Sequence, residues 1–201
     1  MISYCYGKLI APCLLKVKLA HLGKRARFAG WVTVRGGKNI TIGNDFFAGN
    51  DMYISTSQYA QVSIGDAVMF GPKVSIFGGN HDFSYNKGHL RFNCEEDKNA
   101  KNITLESGVW VGANSVFLSG ATIGEGVVVG AGSVINKYIP PYTVAVGNKI
   151  HVVSCRFNSE NDLRVMLECC RSKYNLQQLL AIYEEYKIGF RGQNHGVRFR
   201  P

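Results

Sequence analysis

The sequence predicts a mainly β fold, a parallel β-helix with a protruding loop and a C-terminal helical appendage. The first observation behind this prediction is a six-residue repeat that runs in phase from about residue 40 to residue 138, with one interruption. A repeat of short, fixed period indicates a solenoid. The second observation is that the third place of each hexad is apolar and the fourth is often Gly. Such hexads suit the flat sides of a three-sided coil, with the third residue inward and Gly at the corner.

The first block of hexads, residues 40–79, predicts two turns of the coil. Phe46 and Met52 are expected to open the second and third sides of the first turn. The extra residues 58–61 predict a small bulge at a corner. Upstream the repeat is poor, and the β-helix is expected to begin around residues 22–28.

The second block, residues 103–138, contains six consecutive hexads and predicts two further turns. The segment Ile139-Pro140-Pro141 is expected to end the regular coil, because proline cannot donate a hydrogen bond to a strand ladder. Between the blocks, residues 80–102 break the pattern with histidines, basic residues and an acidic run. This segment is predicted to be a loop that leaves the solenoid, and long loops in compact folds are usually functional.

The chain is predicted to have three parts. Residues 1–21 form an apolar and basic leader, expected to cover the first coil with a short helix. Residues 22–153 form the β-helix, and residues 154–201 form a helical cap with a basic tail. Caps are expected because a bare β-helix exposes its ends. The last stretch, residues 190–201, is rich in Gly and Arg and is expected to be mobile.

Two helices are predicted in the appendage. Ser159 is expected to cap a helix that runs through Cys169, and Asn175 a second helix through Tyr186. Their apolar faces are expected to hold Leu163, Met166, Leu167 and Cys170 in the first helix and Leu176, Leu179, Leu180 and Tyr183 in the second.

Composition limits the classes of partner. The net charge of +9 over 201 residues favours an anionic partner, such as a nucleotide-bearing cofactor, a phospholipid surface or an acidic glycan. Nucleic acid is not expected, because no known nucleic-acid motif is present and the basic residues look spread. Six cysteines without a C-x-x-C pair indicate reduced thiols in a cytoplasmic protein. The apolar stretch near the N-terminus is too short to span a bilayer and shows no cleavage signature.

Two motifs carry a family resemblance. They are Gly79-Asn80-His81-Asp82 at the loop entrance and a long run from Val109-Trp-Val-Gly-Ala-Asn to Ile139-Pro-Pro-Tyr-Thr-Val-Ala-Val-Gly-Asn148. With them the chain resembles the left-handed β-helix, hexapeptide-repeat acyltransferases, in the branch of galactoside, maltose, capsule and O-antigen O-acetyltransferases. The resemblance covers about residues 40–153, and the left-handedness of the fold comes from it alone. It also implies a homotrimer with active sites between subunits.

The resemblance implies direct transfer of an acetyl group from acetyl-CoA to a hydroxyl or amine, with no metal and no covalent enzyme intermediate. A hydroxyl needs a base to take its proton, and histidine suits that task near neutral pH. His81 matches the family's catalytic histidine. Asp82 or a backbone carbonyl is expected to orient it, whereas His89 is expected to be a solvated loop residue.

The acceptor-binding expectation concerns Asn50, Asp51 and Asn80. Related acetyltransferases place polar residues at about these positions against the acceptor sugar. Corner-turn chemistry explains Asn50 and Asp51 equally well. The same ambiguity holds for Asn80, and the choice stays open.

The donor site is expected in the last two coils, where the family binds the CoA arm through backbone groups. The residues implied are Trp110, Gly112, Ala113, Gly130, Ala131, Asn136 and Lys137. Relatives usually follow Gly147 with a Pro-Ala-basic run whose cations meet the CoA phosphates. Here Lys149 stands at the Pro place and His151 at the first basic place, with Arg156 close by, and all three are expected to hold phosphate.

These observations predict an acetyl-CoA-dependent O-acetyltransferase that acts on a sugar hydroxyl of a cell-surface polysaccharide, such as a capsule or O-antigen, or its lipid-linked precursor. It is expected in the cytoplasm, with peripheral contact of the leader to the inner face of the membrane. Three alternatives stay open: N-acetyl transfer to a nucleotide-linked amino sugar, antibiotic acetylation, and an inactive β-helix scaffold. A γ-class carbonic anhydrase is disfavoured, because it needs three histidines around a metal.

Overall fold

The strands of the chain wind into a three-sided parallel β-helix of five full coils and a sixth with two sides. This architecture comes from a computed structural model that describes residues 5–93 and 95–192. The first three coils hold β1 (His21–Leu22), β2 (Arg27–Phe28) and β3 (Val32–Arg35); β4 (Ile40–Ile42), β5 (Phe47–Ala48) and β6 (Met52–Ser55); and β7 (Val62–Ile64), β8 (Met69–Phe70) and β9 (Ser75–Phe77). The last three hold β10 (Ile103–Leu105), β11 (Trp110–Val111) and β12 (Val116–Leu118); β13 (Thr122–Ile123), β14 (Val128–Val129) and β15 (Val134–Ile135); and β16 (Tyr138–Ile139) and β17 (Thr143–Val146).

The strands stack into three sheets, one on each side of the coil. The first strand of each coil joins sheet A, the second sheet B and the third sheet C, and neighbouring strands from successive coils are parallel. The AB, BC and CA corners are the turns between these sheets. A final strand, β18 (His151–Cys155), pairs antiparallel with β17 at the edge of sheet B. It therefore crosses the boundary predicted after residue 153.

The hexad phase correctly predicts which side chains fill the core. Phe46 and Met52 are buried and open the second and third sides of their coil, as expected. Four aromatic rings from successive coils form a column along the axis, and the Phe46 and Phe70 rings meet edge to face at 5.2 Å. The third-place residues that are almost fully buried are Ile42, Ala48, Ile54, Ile64, Phe70, Ile76, Leu105, Val111, Phe117, Ile123, Val129 and Ile135.

The prediction that the coil ends at Ile139-Pro140-Pro141 is wrong. Both prolines lie in the AB corner of the sixth coil, outside the strands, so they remove no ladder hydrogen bond. Ile139 pairs with Ile123 in sheet A, and β17 pairs with β14 in sheet B. The corner before Ile139 is two residues shorter than a hexad corner. The repeat is therefore out of phase in the sixth coil, and the hexad pattern does not predict that coil.

The leader covers the first coil, as predicted. A π-helical turn (Tyr6–Ile10) leads into α1 (Ala11–Lys18), and the buried side of this helical segment packs Ala11 and Leu15 against the solenoid core. The β-helix begins at His21, a full coil before the regular repeat. Throughout the described residues, no helix combines the length and the apolar character that crossing a bilayer requires.

The appendage contains the two predicted helices, α2 (Glu160–Cys170) and α3 (Leu176–Glu185). Ser159 caps α2 and Asn175 caps α3 with a full capping box, which confirms both predicted starts. The helices share a second small core with the end of the solenoid. Its buried members are Tyr142, Cys155, Leu163, Leu167, Leu179 and Tyr183.

Cysteines contribute little to either core. Among the described cysteines only Cys155 is buried, while Cys5, Cys13, Cys169 and Cys170 are exposed. Cys170 therefore does not join the buried face of α2. Residues 193–201, most of the tail expected to be mobile, lie outside the described residues.

Candidate active site

The loop that carries His81 leaves the solenoid at the CA corner, between β9 and β10. Its two arms pair at the base, where His81 forms an antiparallel bridge with Glu96. The Asp97 N–H donates to the Asn80 carbonyl at 2.9 Å. The backbone of His81 is thus held in place while its side chain is exposed.

Asp82 is turned towards its own loop. Its Oδ1 accepts hydrogen bonds from the Ser84 hydroxyl at 2.5 Å and the Ser84 N–H at 2.9 Å. These two bonds hold the pKa of the Asp82 carboxyl below its usual value. Within residues 5–93 and 95–192, no hydrogen bond joins Asp82 or a backbone carbonyl to the His81 ring. The orienting role expected of Asp82 therefore stays a prediction.

Asn93 is a loop residue that the sequence did not single out. Its amide is buried, donates to the Asp82 carbonyl at 3.2 Å and accepts from the Glu95 N–H at 2.9 Å. It thereby ties the two arms of the loop together behind His81. No sequence pattern distinguishes this asparagine from the exposed polar residues around it.

The BC corner gathers most of the predicted donor residues. Gly112 and Ala113 of the fourth coil lie beside Gly130 and Ala131 of the fifth, so closely that a Cβ on Gly112 would collide with the Ala131 backbone. In the described part of the chain, neither the Ala113 N–H nor the Ala131 N–H has a backbone or side-chain acceptor. The corner therefore offers two free backbone donors on successive coils, which suits an elongated ligand with amide carbonyls.

The basic residues at the end of the solenoid lie in two places. Gly147 accepts from the Val134 N–H and donates to Ser133 Oγ, both at 3.1 Å, so its turn lies against the BC corner. Lys149 follows in that turn and His151 begins β18, and both are exposed beside the BC corner.

Arg156 lies at the other end of β18, near the AB corner, because that strand runs antiparallel across sheet B. Its Nη1 donates to the Gly126 carbonyl at 3.1 Å and its guanidinium lies over the Phe157 ring. The structure thus separates Arg156 from Lys149 and His151.

The predicted acceptor residues Asn50 and Asp51 also lie at the BC corner, two coils before Gly112. Both are exposed, and Asp51 has a positive φ of 61°, a conformation that Asp adopts in turns. Asn50 also accepts a backbone hydrogen bond from Lys73 N–H in the next coil. The turn explanation accounts for their backbone, while their side chains remain open to solvent.

Trp110 faces outward from the middle of sheet B and is 49% exposed. It belongs to a ladder of apolar side chains, in register across five coils: Phe47, Met69, Trp110, Val128 and Val144. A cleft of about 770 Å³ lies over this ladder and is walled by Arg156, Phe157 and Arg191. The cleft reaches the AB corner at Gly108, so Trp110 is not part of the glycine-rich BC corner.

Apart from Trp110, the predicted site residues therefore form two groups on opposite edges of sheet C. His81, Asn80 and Asp82 lie at the CA corner, as do Asn136 and Lys137 two coils further on. The donor residues Gly112, Ala113, Gly130 and Ala131 lie at the BC corner. A strand of sheet C separates the edges by roughly 10–13 Å, since each residue extends the chain by about 3.3 Å.

The described residues bring no three His, Cys, Asp or Glu side chains together as a group that could hold a metal ion. The site offers an exposed imidazole, free backbone N–H groups and exposed cations. Such groups suit proton transfer and the binding of an anionic, amide-containing ligand.

Comparisons with known proteins point to one family. Residues 102–137 match the family model of the bacterial transferase hexapeptide (six repeats). The galactoside O-acetyltransferase of Escherichia coli is 36% identical over 140 residues, which cover 70% of this chain and 66% of that protein. The matched regions span about half to two thirds of the length of the curated relatives.

Two solved structures have the same fold and are bound to a coenzyme. A galactoside acetyltransferase in complex with coenzyme A is 33% identical, with a TM-score of 0.62 and coverage of 76% of this chain and 72% of that one. A hexapeptide-repeat acetyltransferase from Vibrio cholerae, complexed with acetyl coenzyme A, is 30% identical, with a TM-score of 0.61 and coverage of 72% and 75%.

Proposed function

The chain belongs to the hexapeptide-repeat, left-handed β-helix acetyltransferases, and from this membership we propose that it transfers an acetyl group from acetyl-CoA to a sugar hydroxyl. The observation that carries the proposal is that the chain presents both an exposed His81, held by its backbone, and two free N–H donors at Ala113 and Ala131. The His81 imidazole supplies a base, and the two N–H donors suit the amide-bearing arm of CoA. Relatives named as galactoside O-acetyltransferases support a sugar as acceptor.

In the proposed reaction the acceptor hydroxyl attacks the thioester carbonyl directly. The His81 imidazole takes the hydroxyl proton as the new C–O bond forms, and the C–S bond then breaks to release the CoA thiolate. The proton passes from His81 to that thiolate, which restores the neutral imidazole. A backbone N–H of the BC corner stabilises the negative charge that develops on the carbonyl oxygen.

We propose a homotrimer in which each site lies between two subunits. His81 and the donor corner lie on opposite edges of sheet C, so one chain does not bring them together. A head-to-tail ring closes when one edge of each copy meets the other edge of the next. The outward ladder of sheet B is apolar, and on sheet C the Tyr53 and Phe77 rings pack at 5.4 Å. The outward residues of sheet A are mostly hydroxylic, for example Thr41, Ser63 and Thr104.

The remaining assignments complete the proposal. Asn50, Asp51 and Asn80 contact the acceptor sugar, Trp110, Asn136 and Lys137 border the donor, and Lys149 and His151 bind its phosphates. The acceptor is a sugar of a cell-surface polysaccharide, such as a capsule or O-antigen, or its lipid-linked precursor. The enzyme works in the cytoplasm, with the leader and appendage as caps of the β-helix.

The test combines donor binding with turnover. Titration calorimetry should show about one acetyl-CoA bound per chain, because each chain contributes one donor corner. His81→Ala should keep this binding and lose at least about a hundredfold in kcat with galactoside acceptors, the usual contribution of a general base. His89→Ala is the matched control, since it changes a second histidine of the same loop, and it should keep its activity.

Two results would contradict the proposal. An active His81→Ala enzyme would remove the assigned base. A chain that binds no acetyl-CoA would instead be an inactive scaffold, because the donor corner would then have no ligand.

A further inference from the structure

The positive charge of the chain is concentrated at one end of the solenoid. The first 44 residues contain no Asp or Glu, whereas basic and acidic residues almost balance in the rest. The expectation that the basic residues are spread along the chain is therefore incomplete. The eight basic residues of this segment are Lys8, Lys16, Lys18, Lys24, Arg25, Arg27, Arg35 and Lys38.

These residues lie on α1 and the first coil, and all eight are exposed. Lys16 and Lys18 are on α1, while the others lie on the π-helical turn or on the strands and corners of the first coil. Arg25 forms an ion pair with Asp45 at 2.5 Å, so its charge is partly balanced. The N-terminal end of the β-helix is consequently a strongly cationic surface.

The same end exposes an unusual number of apolar side chains. One side of the leader helix packs Ala11 and Leu15 into the core, yet the other side is apolar as well. Ile10 is 50% exposed, Leu14 45% and Val17 88%, and their spacing of four and three residues places them along one face. An exposed apolar face of this kind marks an interaction surface.

An aromatic side chain borders this face. Trp31 is 47% exposed and packs against Tyr6 of the π-helical turn, with ring centroids 4.3 Å apart and the ring planes tilted by 33°. Trp and Tyr favour the boundary between water and lipid, where one end of the side chain is wet and the other is not.

We propose that α1 and the first coil form a docking surface for a bilayer that contains anionic lipids. The apolar face of α1 and Trp31 would enter the boundary between headgroups and acyl chains, and the surrounding cations would meet the lipid phosphates. This combination favours a membrane over nucleic acid, whose phosphates would leave Ile10, Leu14 and Val17 in water. It also disfavours a second copy of the chain, which would bring the same positive charges against this surface.

The docking proposal does not depend on the proposed function, although that function would give membrane docking a purpose. If three copies form a closed ring with parallel axes, their docking surfaces face the same side and bind one membrane together, with avidity. Only the use of this contact to reach a lipid-linked acceptor rests on the proposed acetyltransfer.

The experiment is flotation of the purified full chain with phosphatidylcholine vesicles, with and without phosphatidylglycerol. The chain should float with the anionic vesicles, detach as salt is raised, and bind neutral vesicles weakly. The double variant Lys16→Glu/Lys18→Glu should lower the partition coefficient at least about 25-fold, since each cation near an anionic surface contributes roughly fivefold. The matched control is Arg164→Glu/Lys187→Glu, which makes the same charge change on the appendage and should float like the native chain.

A second variant tests the apolar face. Val17→Asp should lower the partition coefficient about tenfold, because a buried valine side chain contributes roughly that factor. Val165→Asp, at an exposed valine of α2, is its control. In a Trp110→Phe background, Trp31 fluorescence should shift to the blue when anionic vesicles are added.

The outcomes separate the two proposals. His81→Ala should float like the native chain. If this variant loses turnover but still floats, the docking proposal is retained. Absence of flotation with anionic vesicles overturns the inference, even if acetyltransfer is normal. The inference is also overturned if Lys16→Glu/Lys18→Glu and its control lose flotation equally. It is overturned as well if Val17→Asp changes the oligomeric state of a chain that does not bind vesicles.

Discussion

Gly112 of the fourth coil lies directly against the backbone of Ala131 in the fifth. The Gly112 N–H donates to the Val129 carbonyl at 2.8 Å, and no room remains for a Cβ beside the Ala131 nitrogen. This contact draws two coils together at the BC corner. It leaves the N–H groups of Ala113 and Ala131 side by side at the surface, where the proposed donor would bind.

The first prediction concerns this corner. Gly112→Ala should lower the free energy of unfolding by about 3 kcal/mol, the upper part of the range for overpacking, because the added methyl group meets backbone that cannot move aside. It should also weaken acetyl-CoA binding, since the two coils must separate. Urea unfolding and calorimetry measure the two effects.

Gly132→Ala is the control for this prediction. Gly132 has a positive φ of 70° but open space around it, so only the backbone conformation is strained, by roughly 1 kcal/mol. Equal destabilisation by the two variants would show that the contact with Ala131 is unimportant.

The second prediction tests the aromatic column. Phe70 is fully buried and lies between the Phe46 and Phe117 rings, so Phe70→Ala should lower the free energy of unfolding by about 3–5 kcal/mol. Phe83→Ala removes a ring that is 80% exposed and should change stability by less than about 0.5 kcal/mol. A small loss for Phe70→Ala in urea unfolding would mean that the core collapses into the cavity.

The third prediction concerns the seam between the solenoid and the appendage. The buried Tyr142 hydroxyl donates to Glu125 Oε1 at 2.5 Å, and burial together with this bond raises the pKa of Tyr142. Tyr142→Phe leaves the Glu125 carboxyl, itself 8% exposed, without this donor. The free energy of unfolding should fall by about 1–3 kcal/mol. Tyr59→Phe, at an exposed tyrosine, should have almost no effect in the same urea titration.

The fourth prediction is a pH dependence in the His81 loop. The pKa of Asp82 is lowered in the folded chain by the Ser84 hydroxyl and N–H. A lowered carboxyl pKa stabilises the loop above the unfolded value of 3.8, and this stabilisation disappears as pH falls through the folded value. Ser84→Ala should raise the pKa of Asp82 towards 3.8, and Ser84→Thr should keep it low. Carboxyl-carbon NMR titration measures both, and an unchanged pKa in Ser84→Ala would contradict the assignment.

The fifth prediction concerns the donor's phosphates. Lys149→Ala should weaken acetyl-CoA binding, because Lys149 lies beside the BC corner. Arg156→Gln should not, since Arg156 is held by Gly126 and Phe157 near the AB corner. Calorimetry with CoA and dephospho-CoA measures both variants. If Arg156→Gln weakened binding and Lys149→Ala did not, the phosphates would instead lie over sheet B.

The sequence alone determined the coil and its core. The hexad period decides which side chains point inward, because alternation along a strand is a local property of the backbone. Phe46, Met52 and the third-place residues follow from it, as do the caps at Ser159 and Asn175. The period also failed locally, where the shortened corner before Ile139 moved the repeat out of phase and hid the sixth coil.

Only the tertiary structure decided how the candidate site is divided. Whether a corner residue lies at the BC or the CA edge depends on how the coils wind in space, and the structure places His81 and Ala131 on opposite edges of sheet C. Side-chain partners depend on loop geometry, which turned Asp82 to Ser84. The antiparallel path of β18 moved Arg156 away from Lys149. The cations of the first 44 residues are already grouped in the sequence, but stacking of α1 on the first coil decided that they lie on one exposed end of the solenoid.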